Sequence, residues 1–208
     1  MHNINSDATS EHRQVLKNLS DHLRKIIEQS IVLNAPDEVI NNINRQLANI
    51  EMLMQPYVTD KRALEYFNPN FSSDINDIQP YSAVSGHYNA LAAPINFQQQ
   101  HNRLLAHVNY GRAYEGPPNC VHGAIISGVY DQLMAIAGMA TGKAGPTAYL
   151  NIDFHKPTPL FKTLEFQAWI SFEQENKVIV KGQCLVNDEI VSSAEALFIV
   201  KPLLTTNS

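Results

Sequence analysis

Gly116-Pro117-Pro118-Asn119-Cys120-Val121-His122-Gly123-Ala124 runs directly into Ile125-Ile126-Ser127-Gly128-Val129-Tyr130-Asp131-Gln132-Leu133-Met134-Ala135-Ile136-Ala137-Gly138-Met139-Ala140, and this stretch decides the fold. A Gly-Pro-Pro turn is rigid and feeds a run that is apolar on every side, which predicts a helix wrapped by the rest of its domain. Asp131 is the only formal charge in that run. An isolated buried carboxylate is too costly to keep, so Asp131 is expected to be paired, hydrogen-bonded or protonated. Gly142-Lys143-Ala144-Gly145-Pro146 predicts the end of the helix, through glycine in a left-handed turn and a proline that forbids continuation.

Downstream the periodicity changes. Thr147 to His155, Thr163 to Glu173, Val178 to Val186 and Ile190 to Val200 read as strands, and Glu175-Asn176 and Asn187-Asp188 stand where tight hairpin turns are needed. Leu164, Phe166, Ala168 and Ile170 alternate with Glu165, Gln167, Trp169 and Ser171, which gives that strand one buried face. Upstream, Ile95 to Gln99 and Arg103 to Tyr110 flank Gln100-His101-Asn102 as a hairpin. The fold class is therefore α+β: an antiparallel sheet curled around one long helix.

The N-terminal part reads as a helical hairpin. Leu16, Leu19, Leu23, Ile26 and Leu33 make one amphipathic stripe, and Ile40, Ile43, Leu47, Ile50 and Met54 a second. Asn34 is the expected cap of the second helix, with Pro36, Asp37 and Glu38 in its first turn. A connection this short makes the two helices antiparallel neighbours, packed on each other or on their own domain. Residues 55–88 mix Pro, Asn, Ser, Asp and aromatics without a period, the mark of a long ordered connection. The expected division is residues 1–65 as a helical extension, 66–88 as a connecting segment and 89–203 as the main domain.

Composition excludes several classes. A 208-residue chain with 44% hydrophobic residues can bury a proper core, and a net charge of -5 without a dense Lys/Arg cluster gives no nucleic-acid footprint. Met1 to Ser10 lacks the basic start and apolar run of an export signal, and two separated cysteines, Cys120 and Cys184, make no disulfide framework, so the cytoplasm is the expected compartment. Residues 123–140 are long enough to span a membrane, but His122, Asp131 and the strands that follow argue for a core helix. Cys120-x-His122 lacks further paired ligands for a metal, and neither a G-x-S-x-G elbow nor a Gly-rich phosphate loop is present. No metal and no cofactor are expected.

Tyr114-Glu115-Gly116-Pro117-Pro118-Asn119-Cys120-Val121-His122-Gly123-Ala124, then Asp131, then Thr147-Ala148-Tyr149-Leu150-Asn151-Ile152-Asp153-Phe154-His155-Lys156-Pro157-Thr158-Pro159-Leu160, resembles the hotdog-fold acyl-CoA thioesterases of the phenylacetate-degradation type. The resemblance covers about residues 80–202. It implies a hotdog fold, an acyl-CoA substrate and a homodimer or dimer of dimers. A His-Gly-Gly turn opens the central helix in that family, an Asp or Glu lies further along, and a Thr or Ser supports the carboxylate. By resemblance these roles fall on His122 and Gly123, on Asp131 and on Thr147. The chain departs from the pattern in three places: Ala124 replaces the second glycine, Asn119 the glycine after the prolines, and Gly116 an Asn or Gln that some members carry.

Physical chemistry supports the same residues. Thioester hydrolysis needs donors for the oxyanion, which the free N–H groups and positive dipole end of a helix start supply, and Gly123 lets a substrate approach that backbone. It also needs a base to activate water or a carboxylate to attack directly, and Asp131 is the candidate on the helix. His122 is read as a positioning residue. Asn119, Ala124, Tyr130, Met134, Tyr149 and Lys156 are the candidate substrate contacts, with Phe154 a further pocket residue and Arg112, Lys143 and Lys162 further cations for the phosphates of coenzyme A. The alternatives are a non-catalytic acyl-CoA binding or sensing module and a hotdog hydratase or dehydratase.

Overall fold

The computed structural model describes residues 10–68, 74–140, 142 and 145–199. Two helices come first, α1 (Ser10–Ile31) and α2 (Asp37–Met54), then three short 3₁₀ turns in the connection, the hairpin β1 (Asn96–Gln100) and β2 (Arg103–Asn109), the helix α3 (Gly123–Met139), and four strands, β3 (Thr147–Phe154), β4 (Thr163–Gln174), β5 (Lys177–Val186) and β6 (Glu189–Ile199). All six strands form one antiparallel sheet in the order β1-β2-β4-β5-β6-β3. This is the hotdog arrangement that the resemblance implies. His101 in the first hairpin turn and Asn187 and Asp188 in the last take positive φ, 53°, 50° and 66°, which His, Asn and Asp tolerate better than other residues with a side chain.

The core lies between α3 and the concave face of the sheet. Ile126, Val129, Tyr130, Leu133, Met134 and Ile136 meet Leu104, Ala106, Leu164, Phe166, Val180 and Ala196, all almost fully buried. Tyr130 anchors the helix at its middle. Its ring stands edge-on to Phe166 at 5.2 Å, its hydroxyl donates to the Ser192 carbonyl at 3.0 Å, and the Ser192 hydroxyl lies at 2.9 Å. Gly182 on β5 permits this approach, because a Cβ there would stand 3.2 Å from the Tyr130 ring.

The helix is not wrapped on all sides. Ala124 and Asp131 are exposed, and Ser127, Gly128 and Ala135 are only partly covered, so one stripe of α3 faces away from the sheet. The expectation of a buried Asp131 is corrected accordingly: small residues count as apolar in a composition, yet here they make a surface. The start of α2 also differs, since its cap is Pro36, which offers no side-chain hydrogen bond, and not Asn34. α2 buries none of its residues, so packing of the two helices on each other does not cover its stripe. Gly142 takes the left-handed turn expected after α3, with φ 78°, while Lys143, Ala144 and Val200 lie outside the described residues. None of the described helices is long and apolar enough to cross a membrane.

Tyr130→Phe should lower the unfolding free energy by about 1–3 kcal/mol, because it strands the buried Ser192 hydroxyl and removes a donor to its carbonyl. Urea denaturation followed by far-ultraviolet circular dichroism measures the difference; an unchanged midpoint would show that the hydroxyl contributes nothing.

Candidate active site

The start of α3 is set by a turn tied at every level. Gly116 N–H donates to the Cys120 carbonyl at 2.9 Å, Cys120 N–H to the Pro117 carbonyl at 2.9 Å, and the Glu115 carboxylate accepts Asn119 N–H at 2.6 Å. Asn119 takes φ 60°, the left-handed conformation that Asn tolerates best among residues with a side chain. Val121 N–H donates to the Thr158 carbonyl at 2.8 Å and Leu160 N–H to the Asn119 carbonyl at 3.0 Å, which fastens the turn to the segment after β3. Gly116 has a packing role that the sequence did not reveal. A Cβ on it would lie 2.7 Å from the Cα of His122, so any side chain there would displace His122.

His122 is the N-cap residue of α3. Its Nδ1 accepts Ala124 N–H at 3.0 Å, which places the ring proton on Nε2, and its own N–H donates to the Tyr114 carbonyl at 2.9 Å. The Gly123 N–H has no acceptor among the described residues, while the next N–H along is capped. This open donor lies at the positive end of a helix of 17 residues.

Asp131 lies further along the exposed stripe, and Thr147 Oγ1 donates to its Oδ1 at 2.8 Å, leaving Oδ2 open among the described residues. Strand β3 runs alongside α3 in the opposite sense. Thr147 at its start meets Asp131, and Phe154 at its end approaches the helix start, where its ring would stand 3.5 Å from a Cβ on Gly123. Gly123 and Asp131 are eight helical steps apart, roughly 12 Å along the axis at about 1.5 Å per residue.

A cavity of about 450 Å³ opens beside Gly123, lined by Pro117, Cys120, Ile126, Phe154 and Thr158, with Lys156 also at its wall. A larger recess of about 680 Å³ sits against Ala137, Ala140 and Trp169, at the far end of α3. The smaller one is the candidate substrate site, because it is the one that touches the open donor. Lys156 is exposed and paired with Glu189. Arg112 lies over the Phe161 ring at 5.5 Å, and Lys162 is exposed.

The structure brings His122, Gly123, Asn119 and Ala124 together at the helix start and Asp131 with Thr147 at mid-helix. It does not bring Tyr130, Met134 or Tyr149 to the cavity. Tyr130 and Met134 are fully buried against the sheet, and the Tyr149 hydroxyl donates to Glu195 at 2.9 Å. Cys120 and Thr158 line the cavity although the sequence reading gave neither of them a role there. Thr158 is 3% exposed and its hydroxyl has no partner among the described residues, a signal that no pattern in the sequence carries.

Residues 119–192 match the family model described as Thioesterase superfamily. A crystal structure of a thioesterase superfamily protein is similar with a TM-score of 0.78 at 23% identity, covering 88% of this chain and 94% of its own. That coverage reaches past the strands into the N-terminal helices, and the likeness shows the fold. Weaker likenesses, each with a TM-score of 0.49, are to the E. coli PaaI protein from the phenylacetic acid degradation operon, at 14% identity over 52% of this chain and 80% of that one, and to a Streptococcus mutans UA159 protein bound to acetyl-CoA, at 16% identity over 51% and 88%.

The two cysteines should differ sharply in reactivity. Cys184 is buried and burial pushes its thiol up to about 12, whereas Cys120 is partly exposed at the cavity. Since the thiolate is the reactive form, a maleimide at neutral pH should label Cys120 in the folded protein and Cys184 only after unfolding. Mass spectrometry of the labelled peptides reads the result, and equal labelling of both in the native state would contradict the geometry.

Proposed function

We propose that the protein hydrolyses acyl-CoA thioesters to the free acid and CoA, at sites that two copies of the chain share. The observation that carries this reading is the open Gly123 N–H at the positive end of α3, beside an apolar-walled cavity, with an Asp131 carboxylate held by Thr147 on the same exposed stripe. The match of residues 119–192 to a thioesterase family supports it, since that span contains every one of these groups.

In this mechanism the thioester carbonyl oxygen accepts from Gly123 N–H, and the helix dipole stabilises the negative charge that develops as the carbonyl carbon becomes tetrahedral. Asp131 takes a proton from the attacking water, or its carboxylate attacks first and water then cleaves the mixed anhydride. Collapse of the intermediate breaks the carbon–sulfur bond, and the leaving CoA thiolate takes up a proton. Thr147 keeps one carboxylate oxygen hydrogen-bonded so that the other faces the reaction. His122 holds the helix start in place through its cap and does not react. Asn119 and Ala124 shape the backbone wall of the site, and Lys156 is the cation at the cavity closest to hand for a CoA phosphate.

Both groups cannot act from one chain, because a general base must stand within hydrogen-bond reach of the attacked carbonyl or one water away, at about 3 Å per contact, and the helix separates them by roughly 12 Å. A second copy docked along the sheet edge would supply what is missing. β3 is an edge strand, and an unpaired edge is the natural place for another strand to add. Two β3 edges joined antiparallel about a two-fold axis would set the Asp131–Thr147 end of one chain beside the Gly123–Phe154 end of its partner, giving two equivalent sites.

The hydratase alternative wants a His paired with a carboxylate at the substrate. His107 and Glu165 form such a pair at 3.3 Å, but on β2 and β4, where the alternation with the buried Ala106 and Val108 turns His107 away from α3. A non-catalytic binding module would retain acyl-CoA without releasing thiol. A panel of acyl-CoAs assayed for free thiol separates these readings.

Asp131→Asn should reduce thioester turnover about 100-fold or more while leaving the fold and ligand binding in place, as expected for loss of a general base. Thr147→Val should cost less, about tenfold, because the hydroxyl supports the carboxylate and does not react. Steady-state thiol release with the purified variants checks both, and near-full activity of Asp131→Asn would sink the assignment.

Mixed dimers test the shared site. Subunits carrying Asp131→Asn and subunits carrying Gly123→Leu should each be inactive alone, yet a mixture with verified exchange should regain one intact site per mixed dimer. Absence of recovery, or full activity of a monomer by light scattering at assay concentration, would rule out sharing.

A further inference from the structure

Helix α1 reaches the helix start of α3 through a chain of hydrogen bonds whose first link, from Arg112 to Glu28, spans 84 residues of sequence. Its contact side presents Arg24 and Glu28, one turn apart. Arg24, whose side chain is only 11% exposed, donates to four backbone carbonyls in the loop at the end of the connection: Ala92 at 2.7 Å, Gly86 at 3.0 Å, His87 at 3.1 Å and Asn89 at 2.9 Å. The Glu28 carboxylate accepts two successive backbone N–H groups, Arg112 at 2.7 Å and Ala113 at 3.0 Å. These are the first residues of the 3₁₀ turn Arg112–Tyr114. Gly111 is shaped for this contact, since a Cβ on it would stand 2.4 Å from Glu28 Oε1.

That 3₁₀ turn ends at Tyr114, whose carbonyl accepts His122 N–H at 2.9 Å. The Tyr114 hydroxyl donates to the Leu91 carbonyl at 3.4 Å, so the loop gripped by Arg24 and the turn gripped by Glu28 are also tied to each other. His122 is fixed at both its groups: its N–H by Tyr114, its ring by Ala124 N–H. The peptide that follows, between His122 and Gly123, carries the open N–H. A carboxylate bridging two N–H groups is a charge-assisted contact, about twice as strong as a neutral hydrogen bond. We infer that Glu28 is a positioning residue for the Gly123 oxyanion donor, acting through the Arg112–Tyr114 turn and His122, and that α1 braces the reaction centre. This inference rests on the thioesterase reading given above.

A brace of this kind alters the transition state more than the bound substrate, because a donor misplaced by a fraction of an ångström fails where charge develops. In Glu28→Ala, kcat for acyl-CoA hydrolysis should fall about tenfold or more with KM held within about twofold, and Glu28→Gln, which keeps one acceptor oxygen, should lie between it and the parent. Arg13→Ala is the control. It removes another α1 tether, the 2.8 Å ion pair with Asp77, without touching the 3₁₀ turn, and should leave kcat and KM unchanged. Amide hydrogen exchange supplies a readout that needs no turnover: the His122 N–H should exchange about tenfold faster in Glu28→Ala or, should that variant not fold, measurably faster in Glu28→Gln, and at the parent rate in Arg13→Ala. Parent-like kcat in Glu28→Ala with unchanged His122 exchange would overturn the inference, as would Arg13→Ala and Glu28→Ala lowering kcat and raising KM alike. Absence of thiol release by the parent from every acyl-CoA would refute the thioesterase reading instead, and faster His122 exchange in the Glu28 variants alone would still support the brace while unchanged exchange would overturn it.

Discussion

The Gly123 N–H has no acceptor among the described residues, whereas its neighbours on both sides do. The N–H groups on either side are taken by fixed partners, Ala124 by the His122 ring and His122 by the Tyr114 carbonyl, so the helix start presents one donor and not a frayed set. Everything around it serves that constraint. The Glu115 carboxylate and the left-handed Asn119 close the preceding turn, Gly116 keeps clear of His122, and the Tyr130 hydroxyl fixes the depth of the helix against β6. A single free N–H in a rigid frame is worth more to a developing oxyanion than several mobile ones, because its orientation is already set before reaction.

The strands and the hairpin turns were legible because their signal is local: alternation over ten residues and Asn-Asp where a positive φ is required. The Asp131–Thr147 contact was legible only through resemblance, since nothing in the spacing of residues 131 and 147 shows that β3 doubles back along α3. Tyr130 and Met134 misled for a related reason. A helix in which nearly every residue is apolar offers no contrast between its faces, so the side against the sheet could not be told from the side along the cavity. Small residues hid the exposed stripe, because Ala124, Gly128 and Ala135 read as core by composition while they leave a surface by size.

The N-terminal helix inverts the usual assumption about amphipathic helices. Leu19 and Ile26 of its expected apolar stripe are 42% and 38% exposed, while the charged Arg24 and Glu28, outside that stripe, hold loop and turn backbone through hydrogen bonds. Their partners are backbone groups of a loop and a 3₁₀ turn, which no side-chain periodicity can announce. Loops need such partners, since a backbone N–H or carbonyl without one costs as much as a lost hydrogen bond. Charged side chains from a helix are an effective way to provide several at once.

Edge strand β3 and the exposed stripe of α3 lie on the same side of the molecule, and both are surfaces that a single chain leaves unfinished. An edge strand exposes a row of unpaired N–H and carbonyl groups, and a stripe of small residues lets another backbone come close. Under the shared-site reading a second copy satisfies both at once. Pairing along β3 extends the sheet across the two-fold axis, and the axis reverses one chain against the other, which sets which ends meet. Had the two β3 edges paired in parallel, like ends would have met, Asp131 with Asp131 and Gly123 with Gly123. Under that reading it is the sense in which the two edges pair that decides whether the Asp131–Thr147 end of one chain lies beside the Gly123–Phe154 end of its partner, and a two-fold axis gives the antiparallel sense that places it there.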